Sequence, residues 1–149
     1  MRALLLAAGL GTRLRPITET IPKCLVSIHG RPLLDYWLAN LATSGIERIL
    51  INTGYLADSV ADYVHDSVWA DNVSLAHESV LLGTGGTILA NRAFFGEEPF
   101  LVAHADNLST IDLDACCRAH RDRAADADMT MALFRTDRPS DCGIVQLDP

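Results

Sequence analysis

Positive charge is scarce in this chain. Twelve Lys+Arg stand against nineteen Asp+Glu in 149 residues, a formal net charge of −7. A surface of that sign repels nucleic-acid phosphates and anionic headgroups, so neither nucleic acid nor a membrane is expected as partner. Metal-binding cysteine spacing is missing too: Cys24, Cys116, Cys117 and Cys142 form no C-x-x-C pair, which disfavours a zinc site and points to reduced thiols in the cytoplasm. The apolar start, Ala3 to Ala8, is too short to cross a membrane, and the glycine loop behind it does not resemble a signal-peptide cleavage site. No G-x-S-x-G elbow supplies an enzyme nucleophile. What the chain does have is apolar content, 49% of its residues. At this length about two-thirds of the unfolded surface can be buried, enough for one domain over residues 1–149.

Short apolar runs alternate with stretches of helical period. Leu4–Ala7, Ile49–Thr53, Val73–His77, Phe100–Ala103, Met129–Phe134 and Gly143–Leu147 are expected as strands, the early ones too uniformly apolar to have a wet face. Leu33, Trp37 and Leu41 repeat at i, i+4 and i+8 and predict a helix over about 32–44; Leu56, Val60 and Val64 predict another. Further helices are expected over Gly85–Phe95 and from an N-cap at Asp112 to about Arg123. The alternation gives an α/β fold, a Rossmann-like three-layer αβα sandwich on a mostly parallel sheet. In such a sheet, ligands sit outside the carboxyl ends of the strands.

The first of those ends reads "LLLAAGLGTRLRPITETIPKCL", Leu4 to Leu25. Bare backbone at Gly9 and Gly11, followed by the cations Arg13, Arg15 and Lys23, suits an anion: amides donate hydrogen bonds, Arg13 can fork onto phosphate oxygens, and Lys23 acts as a point charge. The P-loop pattern is absent, and the dinucleotide pattern G-x-G-x-x-G fails at Leu14, which disfavours a nicotinamide-dependent oxidoreductase.

The stretch "LAAGLGTRLRPIT", Leu6 to Thr18, with Pro22-Lys23 behind it, resembles the signature of the sugar-1-phosphate nucleotidylyltransferases. "ESVLLGTGG", Glu78 to Gly86, resembles that family's base-contacting loop, and "LVAHADN", Leu101 to Asn107, the strand end carrying its metal-binding aspartate. The resemblance, mannose-1-phosphate guanylyltransferase-like or glucose-1-phosphate thymidylyltransferase-like, implies attack of a sugar 1-phosphate on the α-phosphorus of a nucleoside triphosphate. The products would be a nucleotide sugar and pyrophosphate, with Mg²⁺ as cofactor. It implies catalytic roles for Arg13, Lys23 and Asp106, with Asp106 holding the metal. Nucleotide binding falls to Leu6, Ala8, Gly9, Gly11, Thr12, Arg13, Glu78 and Gly83. It also implies a chain cut short after the nucleotide-binding portion, since the sugar-binding residues and a second metal aspartate are expected further on. A homo-oligomer is compatible with all of this.

Two readings compete within that frame: an active nucleotidylyltransferase, and a catalytically incomplete nucleotide-binding or regulatory module. The base is read from Glu78. An ionised carboxylate only accepts hydrogen bonds, so it suits the adjacent N1–H and 2-amino donors of guanine better than the single N–H of uracil or thymine. That favours GTP over dTTP or UTP, and the resemblance implies mannose 1-phosphate as the partner of GTP and glucose 1-phosphate as that of dTTP or UTP; backbone groups at Leu82 and Gly83 offer another means of reading the base. Cys24 is expected to be a small buried residue.

Overall fold

The computed structural model describes residues 1–145. The chain divides into two compact units, Met1–Ile111 and Asp112–Pro149. In the first, β1 (Arg2–Leu6) leads through three short 3₁₀ turns into a hairpin of β2 (Ser27–Ile28) and β3 (Arg31–Pro32). Then follow α1 (Leu33–Thr43), β4 (Arg48–Thr53), α2 (Ala57–His65), β5 (Val73–His77), α3 (Gly83–Ala90), α4 (Arg92–Phe95) and β6 (Phe100–His104). No helix among the described residues is long and apolar enough to cross a membrane.

The four long strands form one sheet in the order β5-β4-β1-β6, every pair parallel. Alternation along parallel, in-register strands gives the sheet two apolar faces, and both are covered over the central strands β4 and β1, while Leu75 of β5 and Val102 of β6 are exposed at the edges. Ala3, Leu5, Ile49 and Ile51 on one face are at most 1% exposed. On the other, Leu4 and Leu50 pack with Phe95 of α4, joined by Ile88 of α3 and Phe100; the Phe95 and Phe100 rings stack with centroids 4.2 Å apart. Right-handed crossovers, the near-universal hand, put α1 and α2 on one side and α3 and α4 on the other, because the chain runs outward through β4 and β5 and then returns across β1 to β6. This is the expected three-layer arrangement. It sets the topological switch point between β1 and β6, where a crevice opens beyond their carboxyl ends.

Local chemistry explains where elements stop. β1 ends at Leu6 rather than Ala7, because the Ala7 N–H donates to Asn52 Oδ1 (2.7 Å) and leaves the ladder. α1 buries Leu33, Leu34, Trp37, Leu38 and Leu41 and closes with Gly45 at φ +71, as Gly45 N–H bonds Ala42 O and Ile46 N–H bonds Leu41 O. The helix expected over Gly85–Phe95 begins two residues earlier and is broken at Asn91, whose φ of −109 departs from the helix and whose side-chain amide donates to Thr87 O (2.9 Å).

In the second unit, α5 (Leu113–Arg121) starts as expected, with Asp112 Oδ1 accepting from Ala115 N–H (2.8 Å). It stops two residues short of Arg123. The strand expected over Met129–Phe134 is not formed. Met129, Met131, Leu133 and Phe134 are between 53% and 77% exposed, and no described segment pairs with them; an apolar run becomes a strand only where a neighbour satisfies its N–H and C=O groups. Gly143–Val145, the start of the last expected strand, is irregular, and Gln146 and Leu147 lie outside the described residues.

Candidate active site

Three loops meet the crevice: the one leaving β1, the one after β5 and the one after β6. In the first, Leu6 and Ala8 are backbone contributors. The Leu6 carbonyl accepts from Ala105 N–H (3.0 Å), and Ala8 is buried beneath the loop. Gly9 is exposed with open space around it. Gly11 sits in the left-handed region at φ +64, and a Cβ there would lie 2.9 Å from Thr18 Cγ2 and 3.3 Å from Lys23 Cβ. Thr18, 1% exposed, also donates from Oγ1 to the Gly11 carbonyl (2.7 Å). This buried hydroxyl fixes the turn, and only glycine satisfies both its dihedral and its clearance. Thr12 and Arg13 follow in a short 3₁₀ turn, both exposed. The ion pairs among the described residues are Lys23–Asp106 and Arg31–Asp35, and Arg13 enters neither.

Lys23 lies in a 3₁₀ turn (Lys23–Leu25) and is the only lysine in the sequence. Its Nζ stands 2.7 Å from Asp106 Oδ2, with side-chain exposures of 22% and 34%. Asp106 is held from both sides. Ala105 extends the β1–β6 ladder by its bond to Leu6, and the Asn107 carbonyl accepts from Trp37 Nε1 (2.9 Å). Asp106 Oδ1 accepts no hydrogen bond among the described residues, which leaves one hard, partly exposed oxygen beside a cation.

Glu78 is enclosed by its own hydrogen-bond partners. Its carboxylate is turned inward, and the residue is 7% exposed. Oε1 accepts from Thr87 Oγ1 (2.5 Å) and Asn52 Nδ2 (3.1 Å), and Oε2 accepts from Leu82 N–H (3.1 Å). Burial opposes ionisation, but the bonds from Thr87, Asn52 and Leu82 outweigh it and hold the carboxyl below the usual range. The carboxylate is therefore committed to the loop Glu78–Gly86, and the Leu82 amide is committed to it. Gly83, exposed at φ +70, begins α3.

Lys23, Asp106 and Gly11 are thus brought together, Arg13 follows Gly11 in an exposed turn, and Glu78 and Gly83 form a second group after β5. Sequence reasoning missed Thr18, Trp37, Asn52 and Thr87 as supports. Solitary polar residues in apolar runs, as Asn52 in "ILINT" and Thr87 in "GGTIL", are the signal that could have found two of them, because a polar group in a core must have a partner. A lone lysine in 149 residues could have marked the centre.

Comparison with known proteins bears on this arrangement. The family model for nucleotidyl transferases matches residues 2–149. The chain is 38% identical over 117 residues to an N-acetylmuramate alpha-1-phosphate uridylyltransferase of Neisseria meningitidis, an alignment covering 77% of this chain and 51% of that one. It is 36% identical over 148 residues to a glucose-1-phosphate thymidylyltransferase of Streptomyces griseus, covering 99% and 41%. Among solved structures it resembles HddC from Yersinia pseudotuberculosis complexed with GMP-PN, with a TM-score of 0.70 at 32% identity over 81% of this chain and 54% of that one. The chain spans about half the length of these relatives, or less.

Proposed function

Because the chain belongs to the nucleotidyl transferase family, we propose that it serves transfer of a nucleotidyl group from a nucleoside triphosphate to a sugar 1-phosphate. A phosphate oxygen of the sugar 1-phosphate bonds to the α-phosphorus, the bond from that phosphorus to the bridging oxygen breaks, and pyrophosphate leaves with the electron pair. The observation that carries this is the contact of Lys23 with Asp106 beside the Gly11 turn, at the switch point of a parallel sheet. Such transfer needs positioned charge more than an enzyme nucleophile, and that is what these residues offer. Lys23 faces the α-phosphate. Arg13 and the amides of Gly11 and Thr12 take the departing pyrophosphate. Residues 1–149, both units together, are read as the nucleotide-binding portion.

The donors fit Mg²⁺, a hard cation that takes one or two carboxylates and completes its shell with phosphate and water oxygens. Asp106 would hold it. Bound there, it would supply charge neutralisation. With the metal held by Asp106, the three donors of Lys23 would be available for phosphate oxygens.

The inward carboxylate of Glu78 removes the side-chain argument for guanine over uracil or thymine. The relatives named above act on uridylyl and thymidylyl groups or were solved with a guanine nucleotide. We assign base contact to the exposed backbone at Gly83 and keep mannose 1-phosphate with GTP, and glucose 1-phosphate with dTTP or UTP, as the pairs to assay. The second reading, a binding module without turnover, draws on the lack, among the described residues, of any cluster of three or more His, Cys, Asp or Glu side chains that could hold a metal. Calorimetric titration with GTP, UTP and dTTP, each with and without Mg²⁺, tests nucleotide binding. Pyrophosphate release on adding each sugar 1-phosphate separates enzyme from module. Saturable, Mg²⁺-dependent binding of one triphosphate is expected; no binding of any contradicts both readings.

A further inference from the structure

Asn52, 4% exposed at the carboxyl end of β4, touches neither crevice loop by sequence neighbourhood, yet bonds to both. Its Oδ1 accepts from the Ala7 N–H, where the phosphate loop leaves β1. Its Nδ2 donates to Glu78 Oε1, and Glu78 Oε2 accepts from the Leu82 N–H in the loop after β5. We infer that Asn52 is a positioning residue that couples the phosphate loop to the base loop through Glu78, so that one buried amide sets the separation of the two halves of the nucleotide site. The inference rests on the nucleotide-binding reading for its function, while the coupling itself rests on the hydrogen bonds alone.

The polarity of the relay is dictated by its ends. Ala7 and Leu82 present backbone N–H groups, which can only donate. Between them the outer side-chain groups must therefore both accept and the inner two must be one donor and one acceptor; Asn52 with Glu78 offers acceptor, donor, acceptor, acceptor. Thr87, fully buried, fits the same order: Oγ1 accepts from Asn52 Nδ2 (3.3 Å) and donates to Glu78 Oε1. One other arrangement of the same total charge satisfies every member: Asn52→Asp combined with Glu78→Gln. The introduced glutamine amide would donate to the introduced carboxylate and to Thr87, and its oxygen would accept from Leu82. Thr87 would then donate to the carboxylate, which would also accept from Ala7. Asn52→Asp alone sets two carboxylates about 3 Å apart across the present Asn52–Glu78 contact, and such a pair holds together only by sharing a proton.

This yields a test that ordinary packing would not mimic. Amide hydrogen exchange without nucleotide is measured for the parent, Asn52→Asp, and the double variant Asn52→Asp with Glu78→Gln. The affinity for the best-binding triphosphate with Mg²⁺ is measured alongside. In Asn52→Asp near neutral pH, protection at Ala7 and at the remote Leu82 should fall together, with affinity, by roughly ten- to a hundred-fold, the effect of losing a hydrogen bond to a charged group. Lowering the pH should restore them. The double variant should match the parent and show no such pH dependence. Unchanged Leu82 protection in a folded Asn52→Asp, or a double variant that stays unprotected or unfolded, overturns the coupling. A parent that binds no triphosphate but shows the exchange pattern overturns the nucleotide reading and leaves the coupling standing.

Discussion

Lys23 and Asp106 are 83 positions apart in sequence and 2.7 Å apart in space. Side chains this accessible gain only about 0–1 kcal/mol from pairing, so the pair contributes little to stability. Its chemical value is that a cation and an oxygen ligand wait together at the point where phosphate and metal are proposed to enter.

Lys23→Met and Asp106→Asn should accordingly leave the urea midpoint nearly unchanged, within about 1 kcal/mol. Each should weaken triphosphate binding in the presence of Mg²⁺ by roughly ten-fold or more, the scale of losing one preorganised charged contact. Asp106→Asn should also abolish most of the Mg²⁺ dependence. Parallel losses of stability and binding would show that the pair is structural.

Arg13→Ala is expected to act on phosphate alone, because the exposed guanidinium enters no ion pair among the described residues. Affinity for triphosphate should fall more than affinity for the monophosphate, and turnover of an active enzyme by about 10² to 10³. Equal affinities for triphosphate in parent and variant would remove Arg13 from the site.

Glu78 gives a signed pH dependence. Its folded carboxyl lies below the ordinary value: burial pushes up, but the bonds from Thr87, Asn52 and Leu82 prevail. The stability it contributes is therefore present above the usual glutamate pKa of about 4.3 and lost as pH falls through the folded value. Asp35 works in the same sense. Burial again opposes, and the bonds from Trp69 and Arg31 lead the groups that overcome it. Urea midpoints should drop on acidification below about pH 5, and Glu78→Gln should be less stable at neutral pH yet show a shallower drop. An equal acid slope in both proteins would contradict the account.

Cys24 should be inert in the native protein. Burial pushes its thiol up to about 12, with a backbone hydrogen bond pulling back and the charge of Asp106 adding to the rise, so little reactive thiolate exists at about pH 8. Cys116, Cys117 and Cys142 are partly exposed and should be alkylated first, as read by mass spectrometry. Cys24 labelled as quickly as these would contradict its buried setting.

Much of the candidate site's layout could be read from the sequence because its parts are local. The turn at Gly11, the cations behind it and the aspartate two residues past β6 each follow a strand that apolar content alone predicts. The direction of Glu78 could not be read. It depends on Asn52 and Thr87, 26 and 9 residues away, one on β4 and the other on α3, which the fold alone brings to Glu78. The same limit misplaced Met129–Phe134: its composition suits a strand, but a strand also needs a partner, and pairing is not a property of the segment itself. The break at Asn91 was hidden because the competing bond to Thr87 lies inside a helical pattern.

The most direct test uses the chain's single lysine. Reductive ¹³C-methylation preserves the charge of Lys23 and labels one lysine and the terminal amine, so the lysine gives one assignable NMR signal. The account predicts that GTP, UTP or dTTP with Mg²⁺ moves this signal saturably, that inorganic sulfate at equal concentration does not, and that Asp106→Asn shifts the starting position and weakens the response. A lysine signal unmoved by all three triphosphates, in a protein whose signal does respond to Asp106→Asn, would contradict the claim that Lys23 and Asp106 form a nucleotide site.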